Sequence, residues 1–351
     1  GPAAPSPTPS VTPPRTVAYG ARFGEVLAFL QRPPILAQTR WRLERAVEQA
    51  HTAVYDAIEI IETDVGLATA VLSAANRLPG HGHIASVPAA ITALGPRGVL
   101  RIATALPTLR AAAPGDRMGM ALLRISSHAI ATRAAAELVA RRVGDRRRDE
   151  LRLIATVHDI GKVALVALSD GYLAGLSNRS ATPEDRIDAE RRLLTFDHAA
   201  IGALVLRRLG LPQAVTATVD RHHADDATGR VAIIRLADML AHLSHGDPVT
   251  PQALESIGRR LSIDEDALLA IASDLPRARG SRSSEATPSP LTPMQEKALR
   301  GLAEGKLYKQ IAADLGLAES TVRSHLHNLY RKLDVSDRAQ AVLLASERGW
   351  I

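Results

Sequence analysis

The spacing of apolar residues predicts helices along most of the chain. Apolar side chains recur every three to four positions from Val54 to Asn76, from Met118 to Val143 and from Val231 to Ser244. That period places them on one face of a helix. The first stretch is interrupted at Asp64-Val65-Gly66. The segment from Leu151 to Leu168 is almost continuously apolar, which predicts a buried helix.

Helix boundaries and residue usage support the same fold class. Asp197 is a capping residue for a helix that runs to Leu209 and stops at Gly210 and Pro212. Runs of β-branched and aromatic residues long enough for a sheet are scarce, and aromatic residues make up only 3% of the chain. The sequence therefore predicts an all-α protein.

Composition changes along the chain predict four segments. Residues 1–18 are rich in Pro, Ser and Thr and are expected to be a disordered tail. Residues 19–275 carry the periodic helical patterns of a first domain, and residues 276–290 read as a linker of Gly, Ser, Arg and Pro. Residues 291–351 are again helical and form a second domain.

Charge and cysteine usage limit the possible partners. The net charge is +6, and a basic surface attracts nucleic acid. The absence of cysteine excludes disulfides and thiolate metal sites and is typical of a reducing compartment. No apolar run is long enough for a membrane span. We expect a cytoplasmic protein that does not bind membranes.

The second domain has the pattern of a helix-turn-helix. Thr292-Pro293 starts a helix that stops at Gly305, and a second helix covers about Lys309 to Leu315. After a turn with Gly316, a third helix of polar and basic residues runs from about Ser320 to Leu333. A helix, a short turn and a second helix that carries such groups is the arrangement that reads DNA.

This domain resembles the LuxR/FixJ-type DNA-binding module over all 61 residues. The resemblance is carried by Leu291-Thr292-Pro293, Leu302-Ala303-Glu304-Gly305, Lys309-Gln310-Ile311-Ala312, Leu315-Gly316-Leu317, Ser320-Thr321-Val322-Arg323-Ser324-His325, Lys332-Leu333-Asp334-Val335 and Arg338. It implies a four-helix module that binds double-stranded DNA as a homodimer. The resemblance implies that Lys309, Thr321, Arg323 and His325 hold the DNA backbone, while Val322 and nearby residues face bases; Asn328 and Lys332 are also expected at the DNA. Departures at Met294-Gln295 and Tyr308 affect the fine geometry and the target sequence.

The first domain contains a motif suited to metal and phosphate chemistry. In Val157-His158-Asp159-Ile160-Gly161-Lys162, adjacent imidazole and carboxylate groups can reach one cation. Lys162 lies one turn beyond His158 and is expected to hold a phosphate oxygen, so it is the catalytic candidate if the protein is an enzyme. Gly161 allows another backbone or a ligand to come close.

Further candidate ligands lie on either side of this motif. They are His128, His198, His222, His223 and Asp238. Imidazole and carboxylate donors suit Mn, Fe, Zn or Ni. A metal held by them would lower the pKa of bound water and bind a phosphate ester. The alternative is a set of core residues, each with its own hydrogen-bond partner.

The order of these residues resembles the HD metal-dependent phosphohydrolase superfamily. The surrounding sequence is similar to its HDOD branch, on the stretches Asp64-Val65-Gly66-Leu67, Leu72-Ser73-Ala74-Ala75-Asn76, Ile84 to Gly98, Phe196-Asp197-His198 and Leu211-Pro212. That branch occurs mostly in bacterial signalling proteins, and many of its members have lost the metal ligands. This chain keeps a full set.

Two departures separate the chain from the cyclic-di-GMP phosphodiesterases of the superfamily. The Gly-Tyr-Pro loop is absent, because His223 is followed by Ala224-Asp225-Asp226, and Arg124 stands where those enzymes carry a glutamate ligand. The other histidines match no ligand position and are expected at the surface. These are His51, His81, His83, His242 and His245.

These observations favour a transcription regulator whose first domain senses a metal or a nucleotide, or mediates dimerisation. One alternative is a metal-dependent phosphohydrolase that the second domain directs to DNA. Another is a scaffold whose first domain recruits a protein. The intact ligand set favours the enzyme, and the missing loop favours sensing.

Overall fold

The computed structural model describes residues 24, 28–48, 53–80, 83–109, 117–168, 172, 181–194, 196–275, 289–304, 306–333, 335, 338–347 and 350. The expected disordered tail, residues 1–18, lies outside the described residues, and so do residues 276–288 of the expected linker. Within the described ranges the chain is almost entirely helical, so the prediction of an all-α fold is confirmed.

The first domain is built from a series of helices. They are α1 Ala37–Glu48, α2 Ala53–Glu62, α3 Val65–Asn76, α4 Val87–Leu94, α5 Pro96–Ala105, α6 Arg117–Val143, α7 Arg148–Val157, α8 Ile160–Leu168, α9 Pro183–Leu194, α10 His198–Arg208, α11 Gln213–Arg221, α12 Gly229–Ser244, α13 Pro251–Arg260 and α14 Glu265–Asp274. Two residues of parallel pairing, β1 Ile35–Leu36 with β2 Thr108–Leu109, are the extended elements of the described part.

A central pair of helices organises this domain. The 27-residue α6 packs along α12 and α7, while α8 and α11 pack on α10. The α12 helix is buried along almost its whole length, from Ala232 to Ser244. Side chains on α6 and α12 therefore meet in the interior.

The interruption predicted at residues 64–66 separates α2 from α3. Asp64 accepts hydrogen bonds from the backbone N–H groups of Gly66 at 3.0 Å and Leu67 at 3.1 Å, and so caps α3. Its other oxygen accepts from the Leu36 N–H at 2.8 Å, which ties β1 to this turn.

One predicted helix is wrong. The apolar run from Leu151 to Leu168 was expected to be continuous, but α7 ends at Val157 and α8 begins at Ile160. His158 and Asp159 occupy the break between them. Because both flanking helices are largely buried, apolar residues dominate the run on either side of the break, so periodicity alone does not show where the helix ends.

The second domain has the four predicted helices, α15 Pro293–Ala303, α16 Tyr308–Leu315, α17 Glu319–Leu333 and α18 Arg338–Glu347. Thr292 and Gln295 form a reciprocal capping box at the start of α15. Gly316 ends α16 at φ +65°, a conformation that favours glycine. The fourth helix, α18, packs against α6, so the two domains are in contact.

No helix among the described residues is long and apolar enough to cross a membrane.

Candidate functional site

All seven predicted metal ligands lie in one buried cluster of the first domain. His158 and Asp159 come from the break between α7 and α8, and Asp238 comes from α12. The exposed fraction is 0% for His158 and 1% for each of these two aspartates. The remaining members are His128 on α6, His198 at the start of α10, and His222 and His223, which directly follow α11.

Among the seven predicted ligands, the shortest contact joins α6 to α12. His128 Nε2 lies 2.8 Å from Asp238 Oδ1 and 3.8 Å from Asp159 Oδ2. His158 Nε2 lies 3.5 Å from an oxygen of each of the same two carboxylates. Two imidazoles and two carboxylates thus converge on one small volume.

Gly161 makes this convergence possible. A Cβ atom built on Gly161 would lie 1.9 Å from the His198 carbonyl oxygen, which is closer than any side chain allows. The absence of a side chain therefore lets α8 contact the start of α10. The expectation that another backbone comes close to Gly161 is confirmed.

Backbone contacts orient two of the rings for ligand binding. His158 Nδ1 lies 2.8 Å from the Ala155 carbonyl oxygen, and His222 Nδ1 lies 2.6 Å from that of Val219. Each Nδ1–H therefore donates to a carbonyl, which turns each Nε2 towards the cluster. Neither buried Nε2 has a hydrogen-bond partner among the described residues. Metal-binding histidines are held in the same way.

A carboxylate orients the third ring. His198 Nδ1 lies 2.8 Å from Glu190 Oε2, and the Tyr172 hydroxyl donates to Glu190 Oε1 at 2.6 Å. His198 Nε2 then points into the cluster, 3.2 Å from Asp159 Oδ1 and 3.1 Å from His223 Nε2. Glu190 was not predicted; its position eight residues before His198 gave no sign of the contact.

Lys162 lies inside the cluster. Its Nζ donates to Asp159 Oδ2 at 2.6 Å, and its exposed fraction is 6%. The expected role toward a phosphate oxygen stays a prediction. In this structure the ammonium group offsets the negative charge of Asp159.

The two carboxylates of the cluster are anionic. Burial opposes ionisation of Asp159, but the charges of His158 and Lys162 outweigh it and hold its pKa well below the usual range. Burial also opposes ionisation of Asp238, but the charge of His242 and the hydrogen bonds from His128 and His158 outweigh it and keep the Asp238 pKa well below the usual range. Deprotonated carboxylates are the form that binds cations.

The histidines divide into neutral and charged groups. Burial, followed by neighbouring positive charge, lowers the pKa of both His128 and His222 to about 3. Burial also opposes the charged form of His198, but Glu190 outweighs it and raises the His198 pKa to about 9. The neutral rings of His128 and His222 therefore stand beside the positively charged ring of His198.

His242 was expected at the surface, and that expectation is wrong. It is 3% exposed, and its Nε2 lies 3.6 Å from Asp238 Oδ1. The spacing of four residues on one helix puts both side chains on the same face, which was the available signal. Of the other histidines so assigned, His83 is exposed, His245 is half-buried, and His51 and His81 lie outside the described residues.

The donor set fits first-row transition metals. Three groups, each with ligand atoms within 4.8 Å of one another, are His198, His222 and His223; His128, His158 and Asp159; and His128, Asp238 and His242. Imidazole nitrogens mixed with carboxylate oxygens suit Mn, Fe, Zn or Ni. The unpartnered Nε2 atoms of His158 and His222 are buried polar groups that such an ion would satisfy.

The second domain presents a polar surface on α16 and α17. Lys309, Arg323, Asn328 and Lys332 are exposed, and Thr321 and His325 are half-buried. Arg323 donates to Glu319 Oε1 at 2.8 Å, and its guanidinium lies 5.5 Å from the Tyr308 ring centroid.

The role expected for Val322 is wrong. Its exposed fraction is 0%, because it packs with Leu326 and Leu329 in the core of the module. The side chain cannot reach a base edge from there. Two positions further along α17, Ser324 is exposed beside Arg323.

Two family profiles match this chain. The profile of the HDOD domain matches residues 34–225, and that of "Bacterial regulatory proteins, luxR family" matches residues 289–345. The first match covers more than half of the chain and contains six of the seven predicted metal ligands. The second covers the helix-turn-helix.

Curated relatives match mainly through the second domain. An uncharacterized transcriptional regulatory protein, YvfU of Bacillus subtilis (strain 168), is 38% identical over 63 residues, which are 18% of this chain and 32% of that protein. GfsR of Streptomyces halstedii, a probable HTH-type transcriptional regulator, is 33% identical over 113 residues, 31% of this chain and 46% of that protein. The matches thus span about a third to a half of these relatives.

Solved structures match the first domain in fold. The MmoQ response regulator of Methylococcus capsulatus str. Bath aligns with a TM-score of 0.55 and 21% identity, covering 69% of this chain and 98% of that chain. A virulence factor from Campylobacter jejuni subsp. jejuni aligns with a TM-score of 0.55 and 18% identity, covering 72% and 95%. At these identities the likeness concerns the fold alone.

Proposed function

The chain belongs to the HDOD domain family and carries a C-terminal LuxR-family helix-turn-helix, and from that premise we propose that it is a transcription regulator that binds double-stranded DNA. The observation that supports this most directly is the polar surface on α16 and α17. Lys309, Arg323 and Lys332 offer cations to phosphates, while Asn328 offers a group that pairs with base edges.

We also propose that the protein acts as a homodimer. Helix-turn-helix modules read paired half-sites, and two linked readers raise each other's effective concentration on DNA. In this proposal the HDOD domain has two roles. It holds the two chains of the dimer together, and it changes DNA binding according to the ligand in its buried cluster.

The buried cluster is proposed as the sensing site, with a first-row metal as its ligand. His128, His158, Asp159 and Asp238 would hold one ion, and His198, His222 and His223 surround the neighbouring position. Glu190 orients His198, and two backbone carbonyls orient His158 and His222. A bound metal supplies Lewis acidity toward water or a phosphate oxygen. Lys162 places a positive charge inside the same cluster, next to Asp159.

A second candidate function, hydrolysis of a phosphate ester, is favoured by one observation. The complete ligand set lies together with Lys162 in one cluster, as hydrolysis requires. Turnover of bis(p-nitrophenyl) phosphate by metal-loaded protein, abolished by Asp159→Asn, would support this function over sensing.

DNA binding is tested by fluorescence anisotropy with the full chain and duplexes selected from a random pool. Lys309→Ala and Arg323→Ala should weaken binding on every sequence and reduce the slope of log affinity against log salt by about one each. Lys297→Ala is the matched control, because Lys297 is an exposed cation on α15 and does not belong to the polar surface on α16 and α17. Equal effects of all three changes would overturn the proposed surface.

A further inference from the structure

A cavity of about 540 Å³ lies where the two domains meet. The first domain contributes residues of α1, α2 and α6 to its walls, and the second contributes residues of α16, α17 and α18. This volume is within the range of small-molecule sites. The cavity shares no residue with the metal cluster, although Ser126 and Ile130 of its lining lie on α6 two positions from His128.

Positive charge dominates the lining. Five arginines face two carboxylates, Asp56 and Glu59; the arginines are Arg42, Arg45, Arg133, Arg323 and Arg338. Arg133 is engaged by Glu62, which lies outside the lining. Neither Arg42 nor Arg45 forms a salt bridge or hydrogen bond with another described residue. Two guanidinium groups are therefore available to an anion.

Arg338 shows the effect of this crowding. Its guanidinium donates to the carbonyl oxygens of Leu302 and Lys306, but its buried Nε has no hydrogen-bond partner among the described residues. Burial lowers the pKa of Arg338 to about 10, and the nearby charge of Arg42 acts in the same direction. An anion in the cavity would give the buried Nε of Arg338 a hydrogen-bond partner and offset the charges of Arg338 and Arg42.

Aromatic rings complete the lining. Trp41 on α1 and Tyr308 and Tyr330 of the second domain border the same space, in a chain with only ten aromatic residues of the types Trp, Tyr and Phe. Guanidinium groups bind phosphate, and aromatic faces stack on bases. Asp56 and Glu59 can accept hydrogen bonds from ribose hydroxyls or from amino groups of a base.

We infer that this cavity is a second ligand site, separate from the metal cluster, and that it binds a nucleotide. The arginines recognise the phosphates, and the aromatic residues recognise the base. A duplex does not fit the same description, because the space is a small cavity between two domains and not an open surface.

Occupancy of the cavity has a consequence for DNA, which rests on the proposed DNA-binding role. Arg323 is both a lining residue and an expected phosphate contact of α17. A nucleotide that engages Arg323 removes it from DNA, so nucleotide and duplex should each weaken the binding of the other by the same factor.

Nucleotide binding is measured directly by the fluorescence of Trp41. The chain has two tryptophans, so Trp350→Phe leaves Trp41 as the sole reporter. The full chain in this background is titrated with ATP, GTP and inorganic triphosphate in the presence of EDTA, which removes metal from the first site. We expect a nucleotide to quench Trp41 and to bind at least tenfold more tightly than inorganic triphosphate.

Variants then locate the site. Arg42→Gln with Arg45→Gln should weaken nucleotide binding at least tenfold for each arginine, because each loses a charge-assisted contact. Arg40→Gln on the same helix, outside the lining, should bind as the parent does. Circular dichroism establishes that each variant is folded, and Arg45→Gln alone serves if the double variant is not.

Three results would overturn the inference. They are no quenching at millimolar nucleotide, equal affinity for inorganic triphosphate, and unchanged nucleotide binding in folded Arg42/Arg45 variants. If those variants lose only duplex affinity, the arginines belong to the DNA surface and the nucleotide site is also refuted. Failure of the DNA-binding proposal is detected separately. In that case anisotropy with the parent chain would show no duplex binding, whereas the Trp41 titration would still measure nucleotide binding.

Discussion

His128 Nε2 lies 2.8 Å from Asp238 Oδ1, although the two residues are 110 positions apart in the chain. The contact crosses the packed pair α6 and α12, so the longest helix of the domain positions a ligand directly against the carboxylate. Both side chains are buried, and Asp238 also faces His158 and His242. The Asp238 carboxylate therefore lies next to three imidazoles of the buried cluster, those of His128, His158 and His242.

Asp238→Asn should lower the affinity for a first-row metal by about a hundredfold or more. The amide keeps the size of the carboxylate but loses the charge that binds the cation, and changes even to groups behind the ligands typically cost 10- to 100-fold. Metal content after dialysis against Zn²⁺ or Mn²⁺, measured by elemental analysis, tests this. Asp225→Asn, at an exposed position, should retain full loading. Equal loading of both variants would refute the metal site.

Lys162→Met should change metal affinity in the opposite direction. The ammonium group lies 2.6 Å from Asp159 Oδ2 and repels a cation at the same carboxylate. We expect removal of this charge to raise metal affinity about tenfold, equivalent to about 1.4 kcal/mol. Lys162→Arg keeps the charge and should stay near the parent value, as competition with a metal-sensitive dye would show. A lower affinity in Lys162→Met would mean that Lys162 supports the bound ion.

The stability of the metal-free protein should be greatest near pH 6.5. His198 has a folded-state pKa raised to about 9, so its contribution is complete below pH 6.5 and is lost as the pH rises towards 9. His128 and His222 have folded-state pKa values lowered to about 3, so the unfolded chain binds protons more readily and stability falls as the pH drops from 6.5 towards 3.

Thermal unfolding in EDTA across pH 5 to 9 measures both limbs. His198→Gln should reduce the alkaline limb and leave the acid limb in place; the part that remains belongs to His158, whose pKa the neighbouring carboxylates Asp159 and Asp238 raise despite its burial. An alkaline limb unchanged by His198→Gln would assign the effect to other groups.

The helices could be predicted from the sequence because their apolar periods are long and regular. The break at His158-Asp159 could not, since both flanking helices are largely buried and the polar residues before the motif, Arg152 and Thr156, lie inside α7 and do not mark its end. His242 was missed for a related reason: its burial depends on α6, which is distant in sequence. Val322 shows the reverse, where a motif placed a residue at the DNA and the packing of α17 placed it in the core.

Gly161→Ala should disrupt the metal cluster, because the added methyl group would force the backbones of α8 and α10 apart. A methyl group would overlap the His198 carbonyl oxygen at 1.9 Å, and neither backbone can move without separating α8 from α10. We expect a loss of about 3 kcal/mol or more of unfolding free energy, at or beyond the upper end of overpacking effects. Urea unfolding measures it. Gly98→Ala is the control, because its nearest contact would be 3.4 Å and an alanine in a helix is neutral or stabilising there.

Ser324 and Val322 should separate base recognition from stability. Ser324 is exposed on α17 next to Arg323, so its replacement by alanine should alter base preference without a change in melting temperature. Val322 is fully buried, so Val322→Ala should lower the unfolding free energy of the module by roughly 1–3 kcal/mol through loss of packed methyl groups and leave base preference unchanged. Selection of duplexes from a random pool, performed well below each melting temperature, gives the base preference, and calorimetry gives the stability.

Because both residues lie on the same helix two positions apart, a shared structural disturbance would affect both readouts in both variants. A changed base preference in Val322→Ala with an unchanged one in Ser324→Ala would show that α17 presents a different face to DNA from the one exposed in this structure.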